Sequence, residues 1–60
     1  MTLAQAIAKA ERLAAKLEEK MYVMCEYGEY YVSDENALGT FWDEQEPLAC
    51  VGKDGETTIY

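Results

Sequence analysis

Histidine is absent from the 60-residue sequence, and beyond residue 20 the only basic side chain is Lys53. The first absence removes the commonest general base and metal ligand at neutral pH. The second leaves residues 21–60 with nine carboxylates (Glu26, Glu29, Asp34, Glu35, Asp43, Glu44, Glu46, Asp54 and Glu56) facing a single ammonium. Affinity for a phosphate backbone rests on lysines and arginines that displace counterions, so nucleic acid and anionic membrane have the wrong sign as partners. The two cysteines, Cys25 and Cys50, form no C-x-x-C pair, which excludes a zinc ribbon and a thioredoxin-type redox site. No apolar run approaches the length that spans a bilayer. No basic segment followed by an apolar core succeeds Met1, and a soluble cytosolic protein is the expectation.

What is present is apolar and aromatic. Half the residues are hydrophobic and seven are aromatic, which is too many for a disordered acidic tail. A single folded domain over residues 1–60 is expected, near the lower size limit for a core without staples. The charge is unevenly divided along it. Residues 1–20 carry Lys9, Arg12, Lys16 and Lys20 against Glu11, Glu18 and Glu19, and are close to neutral.

Thr2-Leu3-Ala4-Gln5 reads as a capping box, with a hydroxyl for the N3 amide and a glutamine reaching back to the cap. Leu3, Ile7, Ala10, Ala14, Leu17 and Met21 then recur at helical spacings, widened by Ala6 and Leu13. Together with a composition of strong helix formers, this predicts a helix over about residues 3–19. Ala10 and Ala14 would let it approach a sheet closely. A coiled-coil seam is the alternative, for which two and a half heptads with central alanines are poor material.

From Met21 the chemistry becomes that of strands. Residues 21–26 and 29–33 are β-favouring runs about Tyr27-Gly28, a hairpin signal. Residues 33–39 read as one short helical turn, with Ser33 as N-cap and Gly39 closing it. Residues 48–51 and 56–60 form a second hairpin about Gly52-Lys53-Asp54-Gly55, reached through a polar connection ending at Pro47. The predicted class is α+β: one N-terminal amphipathic helix packed on a three- or four-stranded antiparallel sheet. Alternation assigns Val23, Cys25, Val32, Cys50 and Ile59, with Tyr30 or Tyr31, to the helix-facing side. Tyr22, Met24 and Glu26 fall on the other side, near Thr58 and Tyr60. With one helix that second face is left uncovered, and an uncovered apolar face marks an interface.

Catalytic residues, metal ligands and cofactors are not expected. Cys25 or Cys50 as nucleophile would need a base and a polarised, partly exposed setting, whereas both lie in apolar runs that argue burial. They could pair if their strands neighbour one another. Asp34-Glu35-Asn36 and Asp54-Gly55-Glu56 offer oxygens but not calcium-loop spacing, and turns account for both. The densest feature is Asp43-Glu44-Gln45-Glu46 beside Phe41-Trp42: an aromatic anchor with a charged rim, or two aromatics closing a small core. Carboxylates on a rigid scaffold can occupy an arginine-rich channel through charge-assisted pairs. An acidic surface also serves solubility alone.

In size, charge and want of catalytic groups, the chain resembles the small acidic inhibitors encoded by phages and mobile elements, anti-CRISPR and anti-restriction proteins among them. The resemblance covers no particular stretch and carries over no residue. It implies inhibition by occlusion, often as a nucleic-acid mimic. The expected function is therefore a non-enzymatic binding protein that covers the basic, nucleic-acid-binding surface of a larger protein in the cytoplasm of a bacterial host. The candidate contacts are Asp34, Glu35, Asp43, Glu44 and Glu46, with Trp42, Glu26 and Glu29, and Asp54 and Glu56 further out. The alternative is a small assembly module that oligomerises or docks through Tyr22, Met24 and Tyr60.

Overall fold

The computed structural model describes residues 1–40 and 45–60, with Leu38, Gly39 and Thr40 described by backbone alone. The elements run α1 (Leu3–Leu17), β1 (Met21–Glu26), β2 (Glu29–Asp34), α2 (Glu35–Thr40), β3 (Ala49–Val51) and β4 (Thr57–Ile59). The four strands form one antiparallel sheet in the order β2-β1-β3-β4, with α1 laid across one face. This is the α+β architecture the sequence predicts.

The capping box starts α1: Thr2 Oγ1 accepts from the Gln5 amide at 3.1 Å, and Gln5 Oε1 accepts from the Thr2 amide at 2.8 Å. The helix ends two residues before the expected position because Glu18 turns into the left-handed region, at φ 55° and ψ 42°. Its cap amide donates to the Ala14 carbonyl, and the Glu19 amide reaches the same oxygen at 3.2 Å. Ala6, Ala10 and Ala14 are fully buried against Met21, Val23, Ala49 and Val51. Three alanines spaced by four residues leave no side chain to hold helix and sheet apart, so the backbones pack closely. The helical stripe thus packs on the chain's own sheet, although Leu17 at its end is exposed.

Tyr27 and Gly28, with φ of 52° and 77°, make the two-residue turn between β1 and β2 and bring Glu26 opposite Glu29. Two positive φ values define a type I′ turn, whose twist matches the strands it joins. The second hairpin closes with the Gly55 amide on the Gly52 carbonyl at 2.9 Å and the Gly52 amide on the Glu56 carbonyl at 2.8 Å. Asp54 Oδ1 accepts from the Glu56 amide at 3.0 Å and braces the loop. A Cβ on Gly52 would stand 2.8 Å from that same oxygen, so a side chain there would displace the brace.

The register corrects part of the expected facing. Val23, Val32 and Tyr30 lie on the α1 side, whereas Cys50 pairs with Tyr22 and belongs to the opposite face. In Leu48-Ala49-Cys50-Val51 both alternations are apolar, so the pattern alone could not choose between them. Cys25 does fall on the α1 side but is exposed. It pairs with Tyr30 near the end of the β1–β2 hairpin. With Cys25 and Cys50 on opposite faces, both thiols are free. Ile59, opposite Ala49, is on the α1 side as expected yet lies 64% exposed.

The second face is also covered more than one helix would allow. β2 and β3 flank β1 and are both antiparallel to it, so they run in the same direction. Joining them requires the chain to return along the sheet. α2 opens that return and sets Ala37 against Tyr22, Met24 and Cys50. Met24 is 0% and Tyr22 9% exposed.

Candidate functional site

α2 is capped by Asp34 rather than by Ser33: Asp34 Oδ1 accepts from the Ala37 amide at 2.8 Å, while Ser33 is buried in β2 opposite Tyr22. Half of the Asp34 carboxylate is therefore engaged in local structure. Glu35, in the first turn of α2, is exposed and close enough to Tyr22 to raise the pKa of that phenol.

The carboxylates of the second region divide by face. Glu26 and Glu29 are cross-strand partners in register with Met24 and Tyr22, on the side away from α1. Glu35 belongs to α2, which packs on that same side through Ala37. Glu46 is exposed and lines a surface depression with Pro47 and Tyr60. Tyr60 continues the Thr58 side of β4, again away from α1. The sequence-predicted residues Glu26, Glu29, Glu35 and Glu46 thus share one side of the molecule. They do not form a single rim, because the Glu26–Glu29 pair and the Asp34–Glu35 pair stand at opposite ends of the β1–β2 ladder. The five residue steps from Glu29 to Asp34 span roughly 17 Å at the standard strand rise. Trp42, Asp43 and Glu44, with Phe41, lie outside the described residues. Lys9, Arg12 and Lys16 are exposed on α1, across the sheet.

Sequence reasoning did not find a polar cluster on the same side. The Tyr22 and Tyr60 phenols both lie close enough to the Cys50 thiol for it to act on their ionisation. The pKa of each phenol is raised above the ordinary 10.0: at Tyr22 by burial and then by charge on Cys50, and at the largely exposed Tyr60 by slight local desolvation and then by charge on Cys50. Glu35 adds to the effect at Tyr22. Cys50 and Tyr60, but not Tyr22, line an open groove of about 480 Å³ whose rim includes Lys20, Lys53 and Glu56. Only the pairing of β3 with both β1 and β4 assembles it, and no spacing in the sequence announces that pairing.

The apolar docking face expected from Tyr22, Met24 and Tyr60 is corrected: the first two are buried, with Ala37 of α2 packed against them, and of the three Tyr60 alone stays exposed. No three or more acidic, cysteine or histidine side chains gather at a metal-binding distance among the described residues. None of the described helices is long and apolar enough to cross a membrane. Comparison with models of known families, with curated proteins and with solved structures gives no match.

Proposed function

We infer that the protein is a non-enzymatic binding protein whose acidic side occludes the basic, nucleic-acid-binding surface of a larger protein. One observation carries this reading: Glu26, Glu29, Glu35 and Glu46 lie on the side of the sheet turned away from α1 and its basic residues. Lys20 and Lys53 border the groove on this side, but carboxylates outnumber them, and an excess of one sign on a rigid scaffold steers oppositely charged partners and repels nucleic acid. Burial of Tyr22 and Met24 reduces the competing apolar surface on this side to Tyr31, Leu48 and Tyr60. The protein is taken to act as a monomer in the cytoplasm. Its mode is inhibitory, of the anti-CRISPR or anti-restriction kind that its size and charge resemble, with Asp34, Trp42, Asp43 and Glu44 adding to the contact.

The test is titration with a fluorescent arginine-rich peptide of the nucleic-acid-binding type, across a range of salt and with duplex DNA as competitor. Binding should be saturable, competitive with DNA and weakened by salt. The combined substitution Glu26→Lys, Glu29→Lys, Glu35→Lys and Glu46→Lys should weaken it by about a hundredfold or more at low salt. Unchanged affinity in a variant that still folds by circular dichroism would remove the reading.

A further inference from the structure

β4 is an edge strand with an open main-chain face. The Gly52 amide donates to the Glu56 carbonyl and the Tyr60 amide to the Leu48 carbonyl. In an antiparallel ladder, hydrogen-bonded pairs alternate with non-bonded ones. Thr58 and Tyr60 therefore turn their amides and carbonyls toward β3, as Glu56 does its carbonyl, its amide being held by Asp54 Oδ1. Thr57 and Ile59 turn theirs outward, and among the described residues β4 has no neighbouring strand on that side. Natural sheets guard such an edge with a very short strand, proline, lysine, a bulge or a covering element, and β4, at three residues, has the first of these. The Thr57-Thr58-Ile59 segment contains neither proline nor lysine, and it pairs with β3 without a bulge. The other edge, β2, is packed by both α1 and α2, whereas the helix contacts on this side stop chiefly at β3.

The surroundings of the edge say what fits it. Ile59 and Tyr60 are 64% and 71% exposed, on opposite faces of the strand. Above the Ile59 side runs α1, tied to β4 by Thr57 Oγ1 donating to Glu11 Oε2 at 3.2 Å. Ala4 and Ala15, seven and four residues from Glu11, share that flank of the helix and are exposed. They leave room for side chains of an added strand. The charges nearby are Glu11, Glu46, Asp54 and Glu56, with Lys20 and Lys53 toward the turn. An apolar ledge bordered by an excess of carboxylates fits an extended segment in which apolar and basic residues alternate.

We propose that the outward edge of β4, with Ile59 and Tyr60 on its two faces and Glu11, Glu46 and Glu56 beside it, captures an extended basic segment of a protein partner by strand addition. Main-chain pairing at Thr57 and Ile59 supplies register, and alternate side chains supply selectivity. A second copy of the chain is the poorer occupant, because pairing would bring together two molecules of net charge −7. The proposal rests on the preceding reading only for the sign of the partner.

The probe is a synthetic peptide of alternating valine and lysine. One control has the same composition with its lysines in one block, and another has the alternating sequence N-methylated at every second residue. The alternating peptide should slow hydrogen exchange at the Thr57 and Ile59 amides and bind about tenfold or more tightly than either control. Ile59→Pro removes an outward donor that the fold does not use, a position where an edge strand tolerates proline. It should abolish this preference and leave the block peptide's binding unchanged. Should that variant fail to fold, the N-methylated peptide applies the same test to the unaltered protein. Equal binding of the alternating and N-methylated peptides, or unchanged exchange at both amides, overturns strand addition. So does a dimer seen by light scattering that protects those amides without peptide. Loss of all peptide binding on reversal of the four glutamates, with no edge preference in the unaltered protein, sinks strand addition alone. Block-peptide binding that survives the reversal sinks the acidic-surface reading instead.

Discussion

Glu18 and Gly28 both hold left-handed backbone, at φ 55° and φ +77°, and differ in having a Cβ. A side chain in that region costs roughly 1 kcal/mol, which glycine avoids. Glu18→Gly should therefore raise stability by up to about 1 kcal/mol, and it also removes a negative charge from the negative end of the α1 dipole. Gly28→Ala should lower it by a similar amount. Nothing lies within 4 Å of the added Cβ, so that cost is conformational rather than steric. Urea unfolding checks both, as midpoint shifts in opposite directions at constant slope. Tyr22 and Tyr60 give a prediction in pH. Each phenol has a folded-state pKa above 10.0, raised at Tyr22 by burial first and by Cys50 next, and to a lesser extent at the exposed Tyr60. The folded protein thus holds these protons more tightly than the unfolded chain. Stability should be complete below pH 10 and should decline as pH rises through the folded values. Unfolding midpoints followed beside tyrosinate absorbance should show that decline. Tyr22→Phe should reduce its slope, and an unchanged slope would place the ionisation elsewhere.

Among the elements, α1 is the one whose packing is least forgiving. Ala10 is fully buried between helix and sheet, and leucine in its place must push them apart. Ala10→Leu should cost about 1–3 kcal/mol, whereas Ala8→Leu on the exposed side should be near neutral. Thermal melts of the pair distinguish close packing from helix propensity, which favours neither residue strongly. This element was legible in the sequence because its cap, period and composition agree on a local solution. The two hairpins were legible for the same reason, since Gly28 and Gly55 provide the positive φ that their turns require. The N-cap of α2 was not: Ser33 and Asp34 are both good caps, and only the β1–β2 register, which buries Ser33 opposite Tyr22, leaves the role to Asp34.

At the scale of the molecule, twelve carboxylates against five basic groups repel one another in the folded state. Raising the salt from a few millimolar to about 0.15 M should therefore raise the thermal midpoint by a few degrees, even as it weakens binding of a basic ligand. Opposite responses of stability and affinity to the same variable separate self-repulsion from recognition. A protein whose acids were locally paired would show no rise. The candidate site itself was half legible. Its residue types and sign stand in the sequence, whereas their grouping depends on strand register. That register unites Glu26 with Glu29 and holds Asp34 and Glu35 at the far end of the ladder.

The sequence by itself determined the elements, their class and the sign of the surface, because capping, periodicity, turn chemistry and net charge are local or additive properties. Tertiary structure alone decided three things: which face Cys50 occupies, that Tyr22 and Met24 are buried with Ala37 of α2 against them, and that β4 has an open edge among the described residues. Each follows from strand order. A sheet reads β2-β1-β3-β4 only after contacts distant in sequence have formed, and two apolar alternations in Leu48–Val51 satisfy local rules equally well. The absence of histidine and of all but one basic residue after position 20 was visible at once. Where the resulting charge gathers, and beside which edge, is a property of the folded sheet.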